Sequence, residues 1–284
     1  MSDLEGHRRY YAEELEAVCG LQTPALVDAF AATPREAFLP SGPWIIRSET
    51  DYLSGPPRHT PDADARRVYH NVAVAIDPER QLFNGAPSLL GVCIDRLELR
   101  PGQRVLHVGC GLGYYSAVMA HCVGPAGVVV AIEVDAALAG RAREALARLR
   151  QVAVRTGDGS QLPDESFDAI MVNAGVTHPL EAWLDALSPG GRMILPLTAT
   201  MPSMGTIGKG PLLLVTRRDA GFEARLVSVV AIYSAQGIRD DALNARIGQA
   251  MMRGQYPVIN RLRRDTHEES TGCWLHGPRF CLSA

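Results

Sequence analysis

Residues 104–120 read RVLHVGCGLGYYSAVMA. Arg104 to Val108 is a short apolar run of strand type, and the residues from Tyr114 onward read as a helix. Gly109, Gly111 and Gly113 fill the joint between them. Glycines there let the chain turn tightly and let its backbone come close to a ligand. Twenty residues past Gly113, the next strand-like run ends on Glu133. A carboxylate at that place can accept hydrogen bonds from ribose hydroxyls. Strand, glycine turn, helix and distal acid predict an α/β protein that binds a nucleotide-type ligand.

The rhythm continues outward. GVVVAI (127–132), VAVR (152–155) and FDAIMV (167–172) read as strands, and residues 136–150 are strong helix formers. HPLEAWLDAL reads as a helix, followed by a Pro189-Gly190-Gly191 turn into the strand RMILPL. Such alternation predicts a parallel sheet covered by helices on both faces. The runs GPLLLVTRR and FEARLVSVVAIY are separated only by DAG, so they should pair antiparallel. Upstream, Thr23-Pro24 and Thr33-Pro34 signal helix starts, and residues 40–65 read as loop. Asn84-Gly85 is a turn signal, and Pro87 opens a further helix behind Ala86, a poor N-cap that leaves backbone N–H groups without a side-chain partner. The tail holds a helix, DDALNARIGQAMMR, closed by Gly254, and an irregular end. These shifts divide the chain into a helical and loop region (1–95), a ligand-binding core (96–235) and a C-terminal extension (236–284).

The chain has 284 residues, 46% hydrophobic and 21% charged, with a net charge of -3. That balance suits a globular core and does not suit general nucleic-acid binding, which needs clustered positive charge. No apolar run approaches a membrane span, and the mixed charges of MSDLEGHRRYYAEELEAVCG do not make a secretory signal, so a cytoplasmic protein is expected. The six cysteines form no CxxC pair, as expected for reduced thiols. Cys273-x-x-His276-x-x-x-x-Cys281 offers three candidate metal ligands and no fourth at normal spacing, so no metal is assigned and a thiol pair in a folded tail is expected.

Two ligands suit the glycine turn, a dinucleotide and S-adenosylmethionine. A dinucleotide GxGxxG begun at Gly109 would need glycine where Tyr114 stands, and begun at Gly111 it reaches Ser116. The GxGxG spacing suits S-adenosylmethionine better. Asp158, in Gly157-Asp158-Gly159 after the third strand, can accept from an adenine amino group or simply stabilise a turn. Asn173-Ala174-Gly175 follows the fourth strand on the same carboxyl edge, where open sheets bind ligands.

From PREAFLP (34–40) onward the chain resembles the protein-L-isoaspartate O-methyltransferases. The matching pieces are PREAFLP, APSLLGVCIDRLELRPGQRVLHVGCGLGYYSAVMA (86–120), AIEVD (131–135), GDG (157–159), FDAIMVNAG (167–175) and LSPGGRMILPL (187–197). The resemblance implies a Rossmann-like class I methyltransferase fold with a seven-stranded, mostly parallel sheet whose last pair is antiparallel, flanked by N-terminal helices and a C-terminal extension. It implies S-adenosylmethionine as cofactor. Gly109, Cys110 and Gly111 match the backbone lying along its methionine part, Glu133 the ribose carboxylate, Val134 an adenine-packing position, and Asp158 and Gly159 the adenine end, with Asn173 on the same edge. Its reaction is methylation of an isoaspartyl carboxylate in a peptide or protein.

Two departures stand out. His107 occupies a strand position where the family usually carries an acid, and is expected to be a packed residue. The family's Thr-Ile-Ser-Gln-Pro falls on Phe83, Asn84, Gly85, Ala86 and Pro87, so glycine replaces its serine and alanine its glutamine. Substrate contacts are then expected from Asn84, Gly85 and Ser88 and from N–H groups near Pro87. A small-molecule methyltransferase on the same scaffold, and a nicotinamide-dependent oxidoreductase or nucleotide-binding module, stay open as alternatives at this level. No catalytic residue is singled out, because a carboxylate with a pKa near ~4 is already ionised at neutral pH and needs no general base.

Overall fold

The computed structural model describes residues 3–48, 56–162, 164–200, 205–253 and 259–284. Fifteen strands among them are numbered in chain order. The first four are short: β1 (Ile45–Arg47), β2 (Arg58–His59), β3 (Ala73–Asp77) and β4 (Leu82–Phe83). Then follow β5 (Arg104–Val108), β6 (Val128–Glu133), β7 (Val152–Thr156), β8 (Phe167–Val172), β9 (Leu187–Pro196), β10 (Ala199–Thr200), β11 (Ile207–Arg218) and β12 (Gly221–Tyr233). The tail supplies β13 (Arg261–Arg263), β14 (Cys273–His276) and β15 (Cys281–Ser283).

The large sheet runs β14-β15-β13-β12-β11-β9-β8-β5-β6-β7, with β10 on β11. β5 is parallel to β8, and β8 to β9. β11 and β12 form the antiparallel pair that their three-residue separation predicts, with a register shift between Leu212 and Leu213. The sheet is longer than seven strands because the tail pairs on: β13 joins β12, and β15 joins both β13 and β14. Pro189-Gly190-Gly191 is not a turn before β9 but an irregularity inside it. Phe167 faces Leu187 and Ala169 faces Arg192, and the surplus residues bulge at Gly190, whose φ is +76°.

The chain folds as two compact units. The first comprises Met1–Gln103, Cys110–Ala131 and Asp135–Arg155. Its helices Asp3–Cys19 and Pro24–Ala32 pack through Tyr11 and Phe30, whose rings meet edge-on at 6.0 Å. Thr33-Pro34 leads into a short 3-10 turn, Arg35–Phe38. The stretch 40–65 is not simply loop: β1 and β2 pair antiparallel, and β1 also pairs with β3 in a small sheet. Residues 49–55 lie outside the described residues. Arg35 is fully buried and donates to the carbonyls of Val68 (2.7 Å), His70 (3.1 Å) and Val72 (2.7 Å). Its cation lies 5.8 Å from the Tyr114 ring centroid. Carbonyl dipoles and a ring face thus compensate a charge that is otherwise costly to bury. Tyr114 also touches Phe38 and Tyr115, which makes it a packing residue.

The second unit comprises Arg104–Gly109, Ile132–Val134 and Thr156–Ala284. Trp183, Phe167, Leu106 and Ile170 are fully buried in it. The tail helix is Asp241–Met252, capped by Asp240, whose side chain accepts from the Leu243 N–H at 2.8 Å. The proposed closing residue, Gly254, lies outside the described residues.

His107 sits fully buried in β5 opposite Met171, and burial pushes its pKa down to about 3. It is neutral in the fold, while the unfolded chain takes up a proton near pH 6.5. Its contribution is therefore complete above that pH and lost as the pH falls towards 3. Between pH 6.5 and 5 the loss is about 2 kcal/mol. Urea midpoints at the two pH values should converge in His107→Leu relative to the parent chain.

Candidate active site

The three glycines of the turn are all left-handed: Gly109, Gly111 and Gly113 have φ of +80°, +57° and +92°. Gly113 is the N-cap of the helix Tyr114–Val123, and a Cβ on it would meet Leu146 Cδ1 at 2.6 Å. Gly109 is held from two sides. Its N–H donates to Ile132 O at 2.8 Å, and its carbonyl accepts from Asn173 Nδ2 at 3.2 Å. A Cβ on Gly109 would lie 3.2 Å from the Asn173 carbonyl oxygen. Asn173 therefore acts on the turn itself. Cys110, where the chain passes into the first unit, is buried, and its Sγ lies 3.7 Å from the Gly111 carbonyl.

Along the carboxyl edge of the second unit, Glu133 is buried at the end of β6, and its carbonyl accepts from Gly157 N at 2.9 Å. Val134 follows it and is 40% exposed, so its side chain is open to a ligand. Asp158 takes the turn role that the sequence offers it. Its Oδ1 accepts from Ser160 N (2.9 Å) and Ser160 Oγ (2.6 Å), closing the turn, and these bonds hold its carboxyl below the usual range. The other oxygen faces Gly237, where a Cβ would come within 3.0 Å. Gly159 has φ +81°, and a Cβ there would meet Val108 at 2.8 Å. Its carbonyl takes the indole N–H of Trp183 at 2.9 Å.

Sequence reasoning missed the supports of this edge. Trp183 is one. Arg239 is another: its guanidinium donates to the carbonyls of Gly175 and Thr198 and to Asn244. Asp240 N donates to Thr177 Oγ1 at 2.9 Å, so the first residues of the extension clasp the loop after β8. No local pattern announces these contacts, although the lone Arg239 before an acidic N-cap is their only trace in the sequence.

The stretch around Gly85 belongs to the first unit. Its helix, Pro87–Leu97, does have an uncapping Ala86, but its start is not bare. Asn71 Oδ1 accepts from Ser88 N at 2.9 Å, a cap supplied from 17 residues upstream. This corrects the expectation that the N–H groups there are uncovered. Asn84 also faces inward. Its Oδ1 accepts from Val74 N at 2.9 Å and from Arg35 at 3.4 Å, and its Nδ2 is shut off from solvent. Gly85 has φ +80°, and its carbonyl accepts from Tyr115 Oη at 3.2 Å. A Cβ on it would meet the buried Leu90 Cδ2 at 2.8 Å.

The fold and its strand-end glycine turn are those of a class I, S-adenosylmethionine-dependent methyltransferase. The model of the family Protein-L-isoaspartate(D-aspartate) O-methyltransferase (PCMT) matches residues 57–210, and the chain belongs to that family. The protein-L-isoaspartate O-methyltransferase of Methylorubrum extorquens is 36% identical over 229 residues, covering 78% of this chain and 86% of its own. That of Methanothrix thermoacetophila is 29% identical, covering 80% and 96%. Among solved structures, a Plasmodium falciparum protein described as a protein-L-isoaspartate O-methyltransferase, in complex with S-adenosyl-L-homocysteine, shares the fold. Its TM-score is 0.60 at 17% identity, over 81% of this chain and 98% of that one.

Restoring the family's serine should not be neutral here. Gly85→Ser and Gly85→Ala are both expected to lose about 1–3 kcal/mol in urea denaturation, since each forces a Cβ into a left-handed backbone against Leu90. A serine variant as stable as the parent would contradict the geometry.

Proposed function

We propose that this chain transfers the methyl group of S-adenosylmethionine to an isoaspartyl or aspartyl carboxylate of a peptide or protein. The observation that carries the reading is the gathering of Gly109, Glu133, Val134, Asp158, Gly159 and Asn173 on the strand ends of one unit. The residues present fit the cofactor. The backbone of Gly109, Cys110 and Gly111 lies free of Cβ atoms at Gly109 and Gly111 and is assigned the methionine part. Glu133 is assigned the ribose hydroxyls, Val134 the adenine face, and Asp158 with Gly159 the adenine amino end. Asn173 is assigned the task of holding the Gly109 carbonyl. The turn at Gly85 and the side chain of Ser88 are assigned the acceptor, with Asn84 fixing that turn from inside.

Bound S-adenosylmethionine supplies an already activated methyl group, and the acceptor carboxylate is already ionised. What remains for the chain is alignment and exclusion of water, for which proximity contributes about 7–11 kcal/mol. Neutral, buried His107 takes no proton in this scheme. Membership in the family supports a protein acceptor, and the glycine at position 85 marks where acceptor recognition must differ from a serine hydroxyl. No helix among the described residues is long and apolar enough to cross a membrane.

Base-labile methyl incorporation into an isoaspartyl peptide, run beside its aspartyl twin, tests the acceptor; labelling of neither would sink it. Calorimetry tests the cofactor. Glu133→Gln should weaken S-adenosylmethionine about tenfold or more, because it removes charge from a hydrogen bond worth roughly 1.5–3 kcal/mol. NAD should give no heat.

A further inference from the structure

The tail brings together a side chain that the spacing of its cysteines does not reveal. His267, Cys273, His276 and Cys281 each offer one ligand atom, and these atoms all lie within 4.8 Å of one another. Among the described residues this is the one such cluster. Cys273 and His276 bracket β14, and Cys281 opens β15 directly opposite His276. His267 precedes the hairpin and approaches from a segment outside any strand.

We propose that these four side chains form a structural zinc site of Cys2His2 type, which clamps the C-terminal hairpin. Two thiolates and two imidazoles are the donor set that zinc takes in closed tetrahedral sites. His267 Nε2 lies 3.7 Å from Cys273 Sγ, close to the edge of about 3.6 Å that Zn–N and Zn–S bond lengths give in a tetrahedron. The surroundings are built for it. His267 Nδ1 lies 3.0 Å from the Asp265 carbonyl, which fixes the ring and leaves Nε2 for a metal. The Ser270 N–H points to Cys273 Sγ at 3.4 Å, the support a bound thiolate needs. His276 Nδ1 is buried and has no hydrogen-bond partner among the described residues. Both cysteines are free thiols rather than a disulfide. With four protein ligands no position is left open for substrate, so the metal holds structure and takes no part in methyl transfer.

The clamp has something to hold. Arg246, on the tail helix, donates to the His276 carbonyl and pairs with Glu269 at 2.8 Å. Arg253 donates to the Trp274 carbonyl at 3.0 Å. The same helix begins at Asp240, beside the clasp on the loop after β8. Metal in the hairpin therefore fixes the base on which that helix stands.

The full chain, purified with reductant, should retain about one zinc per molecule after dialysis, measured by elemental analysis. Exchange for cobalt(II) should give the visible bands of a tetrahedral ion and a thiolate charge-transfer band. Cys273→Ser and Cys281→Ser should each weaken that charge-transfer band, and the double variant should abolish it. Because Cys281 is buried in a strand and its variant can fail to fold, His267→Ala, in an irregular segment, provides the second arm. It should keep the fold and lose at least the roughly 10–100-fold in zinc affinity that even an outer-shell partner is worth. Stripping the metal with a chelator should lower the melting temperature of the parent and not that of His267→Ala. Three results overturn the proposal: no bound metal and no cobalt spectrum in the reduced chain, equal metal binding by His267→Ala, or a Cys273–Cys281 disulfide by mass in the protein as purified.

Discussion

Asn173 closes the end of β8 onto the glycine turn. Its Nδ2 donates to the Gly109 carbonyl, and its own carbonyl occupies the space a Cβ on Gly109 would approach. Gly109 must also be left-handed to leave β5 for the turn, and its N–H is spent on Ile132. Three strand ends are thereby tied at one atom group, and only glycine satisfies the steric and dihedral demands together. The placement of Glu133 and Val134 follows from this tie, because both leave β6, whose end it fixes; Asp158 is brought to the same edge by the Gly157 N–H, which donates to the Glu133 carbonyl.

A second constraint governs the first unit. Arg35 is a buried cation with carbonyls on one side and an aromatic face near by. It gathers the backbone of residues 68–72, and it reaches Asn84 as well. The turn at Gly85 is thus held by an arginine fifty residues upstream, by Tyr115 and by Leu90 against its open face. The absence of a serine hydroxyl is built into this packing. The left-handed backbone and the Leu90 side chain oppose a Cβ at this position, so the glycine is a packed position rather than a gap.

The C-terminal extension is continuous with this logic. It lengthens the sheet through β13, β14 and β15, and its first residues clasp Gly175 and Thr177 on the loop after β8. It buries Leu243, Ile247, Leu262, Trp274 and Leu282, and the proposed Cys2His2 site would cross-link the hairpin where its two cysteines form no disulfide.

Reading the chain alone determined what depends on near neighbours. The alternation of strand and helix, the antiparallel closing pair, the left-handed glycines and the acid at the end of β6 are all set by local periodicity and dihedral preference. It misjudged Pro189-Gly190-Gly191, because whether such a triplet turns the chain or bulges a strand depends on a partner strand. Contacts between distant segments were decided by tertiary structure: Asn71 covering the helix start at Ser88, Arg239 clasping Gly175, and His267 completing the tail cluster. Those pairs obey no sequence period. Each is fixed by the path of the whole chain, which brings together side chains that no spacing rule could associate.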